Sequence, residues 1–321
     1  MAQRYDVVVV GGGPAGLSGA LALARSRRSV LVVDAGEPRN APAAHAHNFL
    51  TRDGVPPLEL LAAGRAEVAS YGGELREGRA VSAERTDDGF TVTLADGGQV
   101  SARRLLVTTG LVDELPDVPG LRERWGRDVL HCPYCHGWEV RDQAVGVLAT
   151  SPAVGHQAQL FRQLTADVTV FTHTGPELPD QLWEEFAARG IAVVEGEVAG
   201  LQVDGDALTG VRLASGQVVP VQALVVAPRF TARSALLESL GLTAEPVEMA
   251  GAVIGSAVPA AERTGATAVP GVFVAGNVTD LGAQVVSSAS AGLLSGAFIN
   301  ADLVAEETRQ AVAARAVAVA R

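Results

Sequence analysis

Apolar residues fall into short unbroken runs separated by helical patterns. "YDVVVV" (5–10) and "SVLVVD" (29–34) are rich in β-branched residues and lack polar alternation, as strands buried on both faces of a parallel sheet do. Between them, "LSGALALARSRR" (17–28) repeats apolar positions at helical spacing. The same rhythm returns as "AVGVLAT" (144–150), a helical pattern through Leu160 and Phe161, and "DVTVFTH" (167–173). "RRLLVTTG" (103–110) and "GVFVAG" (271–276) predict two more buried strands. A long helical pattern follows from "AQVVSSASAGLLSGAFINADLV" into an amphipathic tail ending near 320. Asp-Gly turns at "DDGF" (87–90) and "ADGG" (95–98) predict a small antiparallel flap. Strands alternating with helices mean an α/β fold. Proline-containing stretches, "ELPDVPG" (114–120) and "TAEPVEMAG" (243–251), read as crossings between domains. Residues 1–112 and 247–321 then form one discontinuous domain, and 113–246 a smaller α/β domain.

Composition narrows the setting. The 321 residues suffice for two domains with cores, and 48% hydrophobic against 19% charged residues suits a folded chain. A formal charge of −11 opposes nucleic-acid binding, which needs a basic surface, and gives no support for an anionic membrane. No run approaches about 18 apolar residues, and "MAQRYDVVVVGGG" has no basic leader, so no membrane span or signal peptide is expected. The expected location is the cytosol. There a close cysteine pair is more often redox or metal chemistry than a structural staple.

"GGGPAG" (11–16) sits between the first strand and its helix, and Asp34 ends the second strand. Gly11 makes the tight turn, Gly13 admits a pyrophosphate, and Gly16 lets helix and strand pack closely. Pro14 and Ala15 open the helix, whose free N–H groups and partial positive charge suit phosphates. Asp34 would accept hydrogen bonds from a ribose. This is a dinucleotide-binding fingerprint, and its spacing does not choose between FAD and a nicotinamide cofactor.

Both cysteines lie in "HCPYCH" (131–136). A zinc site would need four ligands within six residues, whereas structural sites usually draw ligand pairs from separated segments. Redox chemistry suits the spacing better, and no metal is expected: two intervening residues allow a reducible ring with a partner thiolate beside it when it opens. His136 titrates nearest neutrality and is the first choice for proton transfer, with His131 the second.

With Thr109 and Gly110 after one strand and Gly276-Asn277 after another, the motif order resembles low-molecular-weight thioredoxin reductases over essentially the whole chain. That resemblance implies two Rossmann-like dinucleotide-binding domains, with an FAD domain assembled from both ends of the chain and the cysteines at the entrance of the middle domain. It implies Cys135 facing the flavin and Cys132 exchanging with substrate. Asn277 departs from the family's Asp, and His136 stands where the family has an Asp. By the same resemblance, Ala35, Gly36, Pro38 and Arg39 follow Asp34 along the adenine side of FAD. His47 and Asn48 lie near the flavin, and the helix start at Gln284 and Val285 stabilises negative charge on its reduced form.

The second strand–helix–strand unit departs further. Ala149, Ser151 and Val154 replace glycines or small residues, and Thr172, His173 and Thr174 offer no arginine pair for a 2′-phosphate. The unit keeps its fold and is expected to have lost NADPH. "CPYCHGWE" and "GEPRNAPAAHAHNFLTRDG" (36–54) resemble dithiol oxidases that close disulfides in antibiotics and toxins of the gliotoxin and holomycin type. The resemblance implies an FAD oxidase of a small dithiol, with O2 reduced to H2O2, acting as a homodimer. A thioredoxin reductase driven by NADPH or by a carrier such as ferredoxin, and a redox-sensing flavoprotein, are the alternatives.

Overall fold

The structure, a computed structural model, describes residues 4–249 and 251–319. The first β-α-β unit is β1 (Arg4–Val10), α1 (Pro14–Arg25) and β2 (Val30–Asp34). After α2 (Pro57–Ser70) come β3 (Glu74–Glu77), β4 (Ala80–Thr86), β5 (Gly89–Leu94) and β6 (Gln99–Val107). These strands make one sheet ordered β3-β2-β1-β6-β5-β4, parallel through β6 and antiparallel beyond it. The two Asp-Gly turns therefore build a flap that continues the main sheet.

β7 (Leu111–Glu114) leads to the second core. There α3 (Leu121–Arg124), β8 (Val129–Leu130) and the single-turn α4 (Pro133–His136) precede the second β-α-β unit: β9 (Val145–Leu148), α5 (Val154–Phe161) and β10 (Val168–Phe171). α6 (Asp180–Arg189), β11 (Ala192–Val194), an antiparallel set of β12 (Val198–Asp204), β13 (Ala207–Leu213) and β14 (Val218–Val219), and β15 (Ala223–Val225) complete it. Its sheet is wholly parallel, ordered β11-β10-β9-β15-β8.

The sequence reading puts the return crossing at 246. In the structure the chain returns earlier, through β16 (Arg229–Ala232), which pairs antiparallel with β7. Ala232, Leu236, Leu237 and Leu242 pack in the cluster that holds Val8, Phe90 and Leu105 of the first core. Burial of these side chains draws the segment across, and Pro228 stands immediately before β16. α7 (Ala235–Glu238), β17 (Glu245–Met249), β18 (Ala252–Ala257) and β19 (Val272–Val274) follow, with β19 added beside β6.

The chain ends its described part in one helix, α8 (Val285–Val319). Small residues let it lie on α1: a Cβ at Gly292 would overlap the Ala15 carbonyl, and one at Gly296 would come 2.7 Å from Gly19 O. Among the described residues, α8 is the only helix with the length and apolar composition of a membrane span. Its packing explains the composition. Ile299 and Leu303 are buried in the core, while Glu306 and Glu307 bind Arg28, Arg103 and Arg104.

Candidate active site

A cavity of about 1460 Å³ runs from the glycine turn of the first unit to the cysteine turn of the second core. Gly11, Gly13, Pro14, Ala15, Asp34, Ala35, Pro38, Arg39, His47, Thr109, Gly110, Gly276, Asn277, Gln284 and Val285 line it, and so do His131, Cys132, Cys135 and His136. Gly16, Gly36 and Asn48 do not. Gly16 works beneath the surface, since a Cβ there would overlap the Gly11 carbonyl.

The glycine turn is shaped to receive a group. Gly11 holds φ of +107°, and a Cβ on it would lie 2.5 Å from Thr108 O, so only glycine fits. Gly13 caps α1, and a Cβ there would meet nothing within 4 Å. That opening, at a helix N-terminus and facing the cavity, fits a pyrophosphate. Asp34 Oδ1 accepts the Gly12 N–H at 2.9 Å, and its other oxygen accepts from Arg65. The expected ribose acceptor is thus already held in place by the chain itself.

The redox turn is held as a dithiol. Both cysteines are free, and Cys135 Sγ–H donates to Cys132 Sγ at 2.8 Å. That donation lowers the Cys132 pKa from its ordinary value. The same bond and burial push Cys135 upward. The two sulfurs therefore titrate as a pair, with Cys132 the more acidic of the two. Burial lowers the pKa of both histidines. His131 Nδ1 lies 3.0 Å from Val226 O, so that nitrogen carries the proton. Gln157 Nε2 lies 3.2 Å from the same nitrogen, a donor facing a donor, while its Oε1 is buried without a partner; with the amide turned over, Oε1 would accept there instead. His136 lines the cavity, and its Nε2 is buried without a hydrogen-bond partner.

Arg39 lines the same cavity. Its guanidinium grips Asp113 of β7 with two bonds of 2.8 and 2.6 Å, gives a third of 3.2 Å to Asn277 Oδ1, and lies 5.2 Å over the Phe230 ring. Asp113 and Phe230 are register partners at the paired crossings, so Arg39 clamps the point where the two cores join. Asn277 spends its amide on Asp280 O and Ala283 O, at 3.0 and 2.9 Å. An Asp there could not donate to either carbonyl, which gives a local reason for the Asn. Asn48, expected at the flavin, turns away and donates to Tyr134 O at 2.6 Å. His47 lies 3.3 Å from both Asp53 and Glu139. Asp113, Glu139, Gln157 and Phe230 are partners that no sequence motif announces.

Comparison with known proteins agrees with this arrangement. The profile of the pyridine nucleotide-disulphide oxidoreductases matches residues 5–296. The chain belongs to that family. It is a flavoprotein disulfide oxidoreductase with the thioredoxin-reductase-like fold. The crystal structure of HlmI is similar to it at 48% identity, with a TM-score of 0.89, covering 98% of this chain and 97% of that one. "Thioredoxin reductase tcpT" of Claviceps purpurea is 31% identical over 94% of this chain and 95% of its own length. A "Probable thioredoxin reductase" of Arthroderma benhamiae is 35% identical over 178 residues, only 44% of its own length.

Against that family name, the second unit is unusual. Ala149 is fully buried, and Val154 turns inward to join the same core cluster. Val154 was expected to obstruct close helix and pyrophosphate packing; it lies in the core and does not line the cavity. The loop surface is Thr150, Ser151 and Ala153. After β10, His173 takes a φ of +48°, and its Nδ1 accepts the Val198 N–H at 3.0 Å. An imidazole nitrogen that accepts a hydrogen bond carries no proton. His173 is a neutral fixture there, its pKa lowered first by burial. Among the described residues, no group of three or more His, Cys, Asp or Glu is placed to hold a metal.

Proposed function

We propose that this flavoprotein oxidises a small dithiol to its intramolecular disulfide and passes the two electrons to O2, giving H2O2. One observation carries the reading. The second unit has no glycine turn open to a pyrophosphate, and the histidine after β10 is held neutral by the Val198 N–H. Electrons then enter through the cysteine turn.

The first unit's turn and the cavity fit FAD, held through Gly11, Gly13 and the N-terminus of α1, with Asp34 beside them. FAD, when bound, supplies the two-electron acceptor that O2 reoxidises. The chain's own residues do the thiol chemistry. A substrate thiolate attacks Cys132 Sγ of the oxidised pair. The Cys132–Cys135 bond breaks and Cys135 leaves with the electron pair. The second substrate thiolate attacks the sulfur bound to Cys132, closing the product disulfide and expelling Cys132. Its lowered pKa makes Cys132 a good leaving group. The pair now holds two electrons, and each thiol proton needs an acceptor. Neutral His136, which lines the cavity and whose Nε2 has no hydrogen-bond partner, is the acceptor for one of them. Cytosolic operation suits a pair that must remain exchangeable, and exposed Leu293, Leu294 and Phe298 of α8 suit contact with a second copy in a homodimer.

A thioredoxin reductase is the second reading, favoured by the intact strand–helix–strand unit and by the names of the relatives. Anaerobic stopped-flow spectroscopy separates the two. A small dithiol should bleach the flavin, NADPH at equal concentration should not, and air should restore the yellow colour with one H2O2 per dithiol. Bleaching by NADPH at the turnover rate would overturn the oxidase reading.

A further inference from the structure

α5 packs into the second core through Val154, Ala158 and Phe161. Gln157 stands among them on the same helix and is only 6% exposed. Burying an amide is costly unless it is hydrogen-bonded, so its partners matter. The amide ends at His131, with the nearer atom 3.2 Å from Nδ1. That nitrogen also lies 3.0 Å from the Val226 carbonyl, which can only accept. Nδ1 therefore carries the proton, and an N–H2 set against it repels. Turning the amide over lets Oε1 accept and removes the repulsion, while the N–H2 takes the place of an oxygen that already had no partner. The Phe230 ring meets the imidazole at 76°, with centroids 5.2 Å apart. The imidazole is thus fixed by three neighbours, and none of the described residues hydrogen-bonds its Nε2.

His131 lines the cavity beside Cys132. In the exchange two substrate S–H bonds break, a substrate S–S bond forms, the Cys132–Cys135 bond breaks, and two electrons pass to the cysteines. Two protons must follow them, and His136 carries only one. We propose that Gln157 is a positioning residue for this exchange: with Val226 it holds His131 as the Nδ1–H tautomer, leaving the Nε2 lone pair to carry the second proton from substrate thiol to cysteine sulfur. This rests on thiol exchange alone, which the oxidase and reductase readings share. The tautomer is read without substrate, so the oxidase reading can fail without it.

The test is nitrogen NMR of labelled histidine rings in the full-length holoprotein, reduced under argon, with His131 assigned by its loss in His131→Asn. Wild-type should show Nδ1 protonated and Nε2 bare. The charged and titratable groups around the ring are Arg39 and Asp113, which hold each other, and the adjacent Cys132. Gln157→Glu touches none of these and sets a carboxylate against Nδ1, which favours the charged ring. Nδ1 should stay protonated, and the His131 midpoint should rise. Gln157→Met keeps the length and removes the acceptor. Its anaerobic reduction by dithiol should slow about threefold to tenfold, the worth of one hydrogen bond, with KM unchanged. Gln157→Glu should restore that rate above its raised midpoint. A merely structural Gln157 would change thermal stability in both variants and leave the midpoint in place. An Nε2–H ring in the wild-type protein, or an unraised midpoint in Gln157→Glu, would overturn the proposal.

Discussion

The two β-α-β units share strand order, helix placement and a buried parallel sheet, yet their turns differ completely. In the first, Gly11 bends where a side chain would strike Thr108, and Gly13 leaves open space at the mouth of α1. In the second, Ala149 is buried, Val154 fills the core, and Ser151 and Ala153 face the cavity. The lesson is that the sheet does not bind a nucleotide. The turn does, and under the proposed oxidase reading it has been lost here while every strand remains.

The sharpest way to break the comparison is to spoil each turn in the same manner. Gly13→Val puts a branched side chain into open space, so the chain should fold and lose its flavin. Absorbance should drop from about one FAD per chain to nearly none, since a blocked pyrophosphate site leaves no alternative seat. Ser151→Val in the second unit should leave flavin content and dithiol turnover unchanged. Loss of dithiol turnover in Ser151→Val would show that the second turn still serves the reaction.

If no electrons enter through the second unit, all must pass the cysteines. Cys135→Ser should lower turnover by about 10³-fold or more, as loss of a covalent participant does. Cys132→Ser should be equally inactive but behave differently in the spectrometer. Replacing the Cys132 thiol by a hydroxyl removes the sulfur hydrogen bond that, ahead of burial and the neighbouring charge, raises Cys135. Cys135 should then ionise beside the oxidised flavin and give a long-wavelength charge-transfer band, which Cys135→Ser should lack. Exchanged spectra would reverse the roles of the two sulfurs.

Next in size is His136→Ala, expected to slow anaerobic flavin reduction by dithiol about 10²–10⁴-fold, the range for a general acid or base. Its lowered pKa, caused mainly by burial, keeps it a base below the usual histidine range. The wild-type rate, corrected for substrate ionisation, should therefore hold down to that lowered pKa and fall only below it. A loss under tenfold would pass the role to His131, whose Nδ1 proton is committed to Val226.

Sequence patterns revealed the elements that repeat and the residues that chemistry spaces regularly. β1-α1-β2 and β9-α5-β10 were legible because a parallel strand must be apolar on both faces. The cysteine turn was legible because its two residues act on each other at a distance of three positions. The partners of Arg39, Asp113 and Asn277, left no local sign because they lie 74 and 238 positions away. The bond of Asn48 to Tyr134 was hidden for the same reason, at 86 positions. The return crossing at β16 was missed because pairing with β7 and burial of Leu236 and Leu237 decide it, and neither leaves a turn signal. Local rules find elements, whereas tertiary contacts assign side chains.

The smallest expected effect bears on whether the second unit offers a cation near neutral pH. His173 accepts the Val198 N–H through Nδ1, and protonation would replace that bond by two facing donors. Its folded pKa lies below its unfolded value, mainly through burial. Between those two values the unfolded chain binds the extra proton, so stability is lost as pH falls below about 6.5. His131 and His136 act in the same direction. The thermal midpoint should thus drop between pH 7.5 and 5.5, by calorimetry on the holoprotein. His173→Asn tolerates the positive φ and keeps an acceptor for Val198, but it has no proton to gain. It should recover part of the drop. An unchanged slope in His173→Asn would mean that His173 does not gain its proton on unfolding, and that the second unit has a charged imidazole available for a phosphate after all.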